Sequence, residues 1–291
     1  MITRSAWTRL LAKAGQSAAT LVTVLVLVFL LVRLIPGDPV TTILGNETSP
    51  AAVAALRAEL HLDDPPWRQF ADYLAGLARG DLGNSAVQRG ESVAGLVFHA
   101  LPTTLAVVLV GMTLGVLAGI ALGLWAALTK HPGVDLTVRG LLMLSHATPT
   151  FLIALLLILV LALHAGLLPA GGWPGAYPAN LAYLVLPGVA LASHLTPAIA
   201  RAVRQAAIGA QQQLYMEAAL ARGLSSRALN LRHILPNSLL PVITLLGLSF
   251  GGLLTGAIIV ETVFGLPGLG SEMSKAVLRR DYPVVQGIAL M

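Results

Sequence analysis

Long apolar runs recur along the chain, separated by polar stretches. They cover about 18–35, 102–128, 136–163, 181–200 and 239–260. Each approaches or exceeds the roughly 20 residues that an α-helix needs to cross a bilayer. The runs are continuous, where the strands of a membrane barrel would alternate every second residue. The pattern predicts an all-α polytopic membrane protein with five complete spans. A sixth apolar run starts at Val284 and stops at Met291. Eight residues rise only about 12 Å as a helix, against a hydrocarbon core of about 30 Å. The reading frame is therefore expected to continue through roughly 12 further apolar residues.

Between the first two spans lies a polar segment, 36–100. Ser49-Pro50 reads as an N-cap followed by Pro at the first helical position. Val53, Leu56 and Leu60 then share a face, and after Pro65-Pro66 so do Trp67, Phe70, Leu74 and Leu77. Two short amphipathic helices are expected here, lying on the membrane surface or on other spans.

Charge adds direction. The 129–139 loop, the 200–235 loop and the N-terminal head with Arg4, Arg9 and Lys13 are basic, whereas 165–180 has no Lys or Arg and 36–100 has more acid than base. The positive-inside rule places the amino terminus and the two basic loops in the cytoplasm, and 36–100, 165–180 and 261–283 outside. The net charge of +5 is thus a topology signal, and no nucleic acid partner is implied. A cleaved leader does not fit the first run, which is too long and is followed by Ile35-Pro36-Gly37. With 56% hydrophobic and only 11% charged residues, the chain is far from a soluble domain, in which about a quarter are charged.

Chemistry inside the spans is sparse. Apart from Arg33 and Arg139 near their ends, the spans hold no Asp, Glu, Lys or Arg, there is no cysteine, and none of the three lysines ends a Gly-rich phosphate loop. No metal site, nucleophile pair or P-loop is readable. A membrane enzyme lacks its catalytic groups, and a proton-coupled carrier or channel working alone lacks its intramembrane charge. What remains is irregularity. Span three carries Ser145-His146-Ala147-Thr148-Pro149, whose Pro is expected to kink the helix, and span four carries His194 and is expected to be interrupted at Pro187 and Pro197. His146, Pro149 and His194 are the candidates for a translocation path, against the plainer role of packing. Gly111, Gly115, Gly119 and Gly123 form a stripe at every fourth residue of span two, a surface for close helix approach. Gly247/Gly251 and Gly252/Gly256 repeat that spacing in span five.

The loop after span four holds Tyr-Met-Glu-Ala-Ala-Leu-Ala-Arg-Gly from Tyr215 to Gly223, then Ser225, Ser226 and Pro236. Gln211 to Arg222 reads as a helix continuing below span four, broken by Gly223 in a left-handed turn. Ser225 or Ser226 caps a second short helix through Arg232, and Pro236 opens span five. A helix-turn-helix knob results. A solvated basic loop would explain the arginines but not Glu217, Ala218 and Ala219 with Gly223 beyond.

The knob resembles the E-A-A-x-x-x-G signature of bacterial ABC importer permeases. Further stretches resemble the dipeptide, oligopeptide and nickel branch: LIPGDPV (34–40), RGDLGNS (79–85), LPTTLA (101–106), LLPAGGW (167–173), ETVFGLPGLG (261–270) and RDYPVVQG (280–287). The resemblance covers essentially the whole chain and departs from the family only in the missing end of the sixth helix. It implies a type I ABC importer transmembrane domain in a bacterial inner membrane. The parts would be a head (1–17), a first span (18–35), an extracytoplasmic segment (36–100) and a core (101–291) with a coupling loop at about 206–236. Glu217, Ala218, Ala219, Arg222, Gly223 and Ser225 would then dock on an ATPase subunit. The partners implied are a homologous second permease, two ATPase subunits that hold ATP and Mg, an extracytoplasmic solute-binding protein and membrane lipid. The chain itself would hold no cofactor. Di- or oligopeptides are the expected cargo, with nickel chelates, glutathione and opine-type metallophores as alternatives.

Overall fold

The computed structural model describes residues 4–34, 40, 49–59, 63–88, 90–175 and 180–290. Apart from one isolated bridge between Asn84 and Ser92, its regular structure is helical. The chain forms two compact units, residues 1–100 with 272–291, and residues 101–271.

The first unit opens with α1, Arg4–Leu34, whose 20-residue apolar window Leu11–Leu30 has a mean hydropathy of 1.7. Most of that window is exposed, as suits a helix facing lipid, but Leu25 and Phe29 are buried. Phe29 meets Phe70 edge-on at 4.9 Å. Phe70 lies on α3, Pro66–Ala78, which follows the shorter α2, Pro50–Glu59. The sequence pattern anticipated both helices. Of the expected apolar face on α3, Phe70, Leu74 and Leu77 are half-buried, while Trp67 is 72% exposed. Leu60, expected on the face of α2, lies outside the described residues.

Helix α4, Val93–Leu128, starts nine residues before the Pro102 at which span two was expected. Ser92 explains the early start, because its hydroxyl accepts the Gly95 N–H at 3.0 Å and caps the first turn. Pro102 is absorbed within the helix.

In the second unit the third apolar run is not one kinked span. It is α5, Pro132–Ala147, and α6, Thr150–Leu157, which continues as a π-helix to His164. The two halves are bent by 105°. Pro149 forces the break: it has no N–H to donate, and it pushes Thr148 into extended backbone (φ −85°, ψ 127°). Helix α7, Leu181–Gln211, carries Pro187 and Pro197 without interruption, contrary to the expected breaks. It is the central element. Leu184, Leu191, Leu195, Ile199 and Val203 project from it into the core, which Val107 and Val108 of α4 complete. Helices α5 and α6 pack against it, as does the later α10, Leu235–Phe264. Among the described residues, four long apolar helices, or five counting the bent pair as one span, are approximately consistent with the five complete spans expected.

The glycine stripe of α4 lies against α7. A Cβ on Gly119 would stand 2.6 Å from that of Ile199, and one on Gly123 would stand 2.6 Å from the Ala200 carbonyl oxygen. Gly111 and Gly115 face Leu191 and Leu195 in the same way. The second set of glycines does not behave alike. Gly256 approaches Leu191, but Gly247, Gly251 and Gly252 have nothing within 4 Å among the described residues.

Candidate functional site

The 206–236 loop is built from the end of α7 and two short helices. Helix α7 stops at Gln211, and Gln213, in extended backbone, starts a separate helix α8, Leu214–Ala221. The expected single helix from Gln211 to Arg222 is therefore broken. Gly223 ends α8 at φ +77°, a left-handed conformation that a β-branched residue resists. Its N–H donates to the Leu220 carbonyl, and the Leu224 N–H donates to that of Ala219. Ser225 then caps α9, Ser226–Leu229, accepting the Ala228 N–H at 3.3 Å. This second helix does not end at Arg232. A π-turn, Asn230–Ile234, joins it to α10, and Ser226–Phe264 forms one helical run of 39 residues.

The signature residues divide by face. Met216 and Ala219 are buried with Ala207, Leu229 and Ile234 in a small apolar cluster beneath the end of α4. Ala219 therefore packs within its own chain, which corrects its expected place at a partner's surface. Glu217, Ala218 and Arg222 are exposed beside Leu214 (81%) and Leu220 (57%). Asn237 ties the two arms together, donating to the Tyr215 hydroxyl at 3.1 Å and to the His233 carbonyl at 2.7 Å.

A second element, unread in the sequence, sits above the knob. Asp135 of α5 accepts hydrogen bonds from Nε and Nη2 of Arg204 on α7, and Arg139 adds a contact at 3.4 Å. Spacing could not reveal a pair separated by 69 positions.

The candidate path residues His146 and His194 stack with ring centroids 4.9 Å apart. They line a cavity of about 330 Å³ with Thr150, Leu191, Ser249 and Gly252 among its other walls. Pro149 does not line it but starts α6 beside it. The break at Thr148 thus sets His146 opposite α7.

Of the remaining motif stretches, 34–40 lies largely outside the described residues, and the other five gather around two carboxylates. In the second unit Glu261 is fully buried near the end of α10. Its Oε2 accepts the N–H of Gly270 at 2.7 Å and of Ser271 at 3.2 Å, at the start of α11, Leu269–Arg279. Thr104 Oγ1 accepts the neighbouring Leu269 N–H at 2.8 Å. Gly172 donates to the Phe264 carbonyl at 2.8 Å, and Gly265 reverses the chain at φ +64°. Three separate stretches, 101–106, 167–173 and 261–270, therefore meet here. In the first unit Asp281 is 2% exposed. It accepts the Ser85 hydroxyl and the Ala86 N–H, the latter at 3.1 Å, so that 79–85 meets 280–287.

The profile of the "Binding-protein-dependent transport system inner membrane component" matches residues 119–291, and its N-terminal counterpart matches 8–110.

The chain belongs to this family of transport permeases.

It has the type I ABC importer transmembrane fold and is a multi-pass inner-membrane protein. It is 35% identical over 283 residues to the oligopeptide transport system permease protein OppB of Escherichia coli K12, covering 97% of this chain and 90% of that one. The OppB of Haemophilus influenzae is 34% identical over 276 residues, 95% of this chain and 89% of the relative. The glutathione transport system permease protein GsiC of Salmonella choleraesuis is 36% identical over 272 residues, 94% and 87% respectively.

Proposed function

We propose that the chain is one of two permease subunits of an ATP-driven importer of di- or oligopeptides. Its amino terminus is cytoplasmic, and the 36–100 segment faces a solute-binding protein outside. The 214–223 helix and turn dock on an ATPase subunit, which holds the ATP and Mg. The observation that carries this reading is the two-faced knob: Met216 and Ala219 anchor it inward, leaving Glu217, Ala218 and Arg222 for a partner. A protruding helix fixed to the membrane bundle is what a chain without a phosphate loop needs to receive work from ATP hydrolysis elsewhere. Movement of the docked knob would rock α7 and α10 between inward and outward access. The path runs between the two permeases, past the His146–His194 cavity and the broken span, where backbone groups are uncommitted.

The OppB relatives support peptide cargo. The GsiC relative supports a second reading, glutathione, which is itself a short peptide. Proteoliposomes holding the complete complex decide between them. Uptake of a labelled tripeptide that stops without ATP is expected, and uptake of glutathione alone would move the assignment. Orientation is tested by Asp72→Cys in this cysteine-free chain. An impermeant thiol reagent is expected to label it from outside, and labelling only after lysis would reverse the topology.

A further inference from the structure

We infer that Glu261 is a positioning residue that joins the loops at one end of the permease to the helix carrying the knob at the other. Engagement of the solute-binding side would thereby be felt at the ATPase side. The inference rests on the importer reading above, but it concerns residues which that reading does not use.

The geometry is specific. Glu261 stands near one end of the continuous Ser226–Phe264 run. That run begins immediately after Ser225, the cap residue of the knob. Its 39 residues rise about 58 Å as a helix, more than the roughly 30 Å hydrocarbon core. One rod therefore has an end on each side of the membrane. Most helices meet their loops only through the chain itself. This one also grips them through a side chain.

The carboxyl group takes two backbone N–H groups at the start of α11, and Thr104 of α4 holds the adjacent Leu269 N–H through its hydroxyl oxygen. These otherwise orphaned N–H groups of the first helical turn are thus satisfied by a side chain of another helix. Both N–H groups converge on the one oxygen, Oε2. Gly268 and Gly270 leave it room: a Cβ on Gly268 would collide with the carboxylate itself, and one on Gly270 would stand 2.9 Å from Oε2. The Phe264 carbonyl, three residues on, is held by Gly172 of the 165–175 loop. A shift of either loop must therefore pull on the end of the rod.

The test compares variants in the complex reconstituted with its ATPase subunits, measuring ATP hydrolysis with and without the purified solute-binding protein carrying its solute. Glu261→Gln preserves shape but replaces one acceptor oxygen by a donor. Thr104→Val removes the hydroxyl, and Thr104→Ser keeps it. The ratio of stimulated to unstimulated hydrolysis is expected to fall about fivefold or more in Glu261→Gln and Thr104→Val, within the usual range of site-to-site coupling, and to persist in Thr104→Ser. Full stimulation in both altered variants would overturn the inference. If Glu261→Gln does not assemble, the Thr104 pair decides alone. Failure of both to assemble would make Glu261 a folding residue and also overturn it. A wild-type chain that binds no ATPase subunit would instead defeat the importer reading.

Discussion

Nε and Nη2 of Arg204 both donate to the Asp135 carboxylate at 2.8 Å, binding α5 to α7 two turns before α7 ends. Guanidinium and carboxylate match as planar forks, which an ammonium cannot reproduce. Arg204→Lys is therefore expected to lower the Tm of the detergent-solubilised protein by a few degrees although the charge is kept. An unchanged Tm would mean that the pair contributes nothing.

The α4 stripe predicts a sharp positional contrast. Gly119→Ala puts a methyl 2.6 Å from the Cβ of Ile199, overpacking that costs about 1–3 kcal/mol. Gly251→Ala meets nothing within 4 Å and is expected to be neutral. Thermal denaturation of both, side by side, checks this. Equal stability would show that α4 can move away from α7 at little cost.

Gly223 separates folding from coupling. Gly223→Val forces a β-branched residue to φ +77°, a strain of about 1–3 kcal/mol. Gly223→Asn, more tolerant of the left-handed region, should be milder. The Val variant is expected in the membrane at near-normal level but with reduced ATP-driven uptake. Normal uptake would remove the turn from the mechanism.

Asp281 holds the 79–92 loop. Asp281→Ala would leave the Ser85 hydroxyl and the Ala86 N–H without their acceptor, at about 1–3 kcal/mol for each buried group. Limited proteolysis is expected to cut that loop faster in Asp281→Ala than in Asp281→Asn, which keeps an acceptor oxygen. Equal rates would show that the loop is held elsewhere.

Periodicity located most of the helices because each must hide its own backbone hydrogen bonds in lipid, whatever its neighbours do. The capping reading held at Ser225, where the signal is local. It missed Ser92, which lay in a stretch assumed to be loop. Prolines were misjudged in both directions. Pro187 and Pro197 were absorbed in the buried α7, while Pro149 turned the chain by 105°. A proline's effect depends on what packs around the freed carbonyl, which one sequence does not state. The site was legible as motifs but not as contacts. That Ala219 faces inward and Ala218 outward depends on where α4 ends, and the Asp135–Arg204, Ser85–Asp281 and Thr104–Leu269 partners are too distant in sequence for any spacing rule.

Helix α8 is expected to dock on an ATPase subunit through its exposed face. Because the chain has no cysteine, a single Ala218→Cys or Ala219→Cys carrying a photoreactive maleimide reports that face directly in the assembled complex. Irradiation is predicted to give a covalent adduct with the ATPase subunit from Ala218→Cys and little or none from Ala219→Cys. No adduct from Ala218→Cys, in a complex that still transports, would contradict the account.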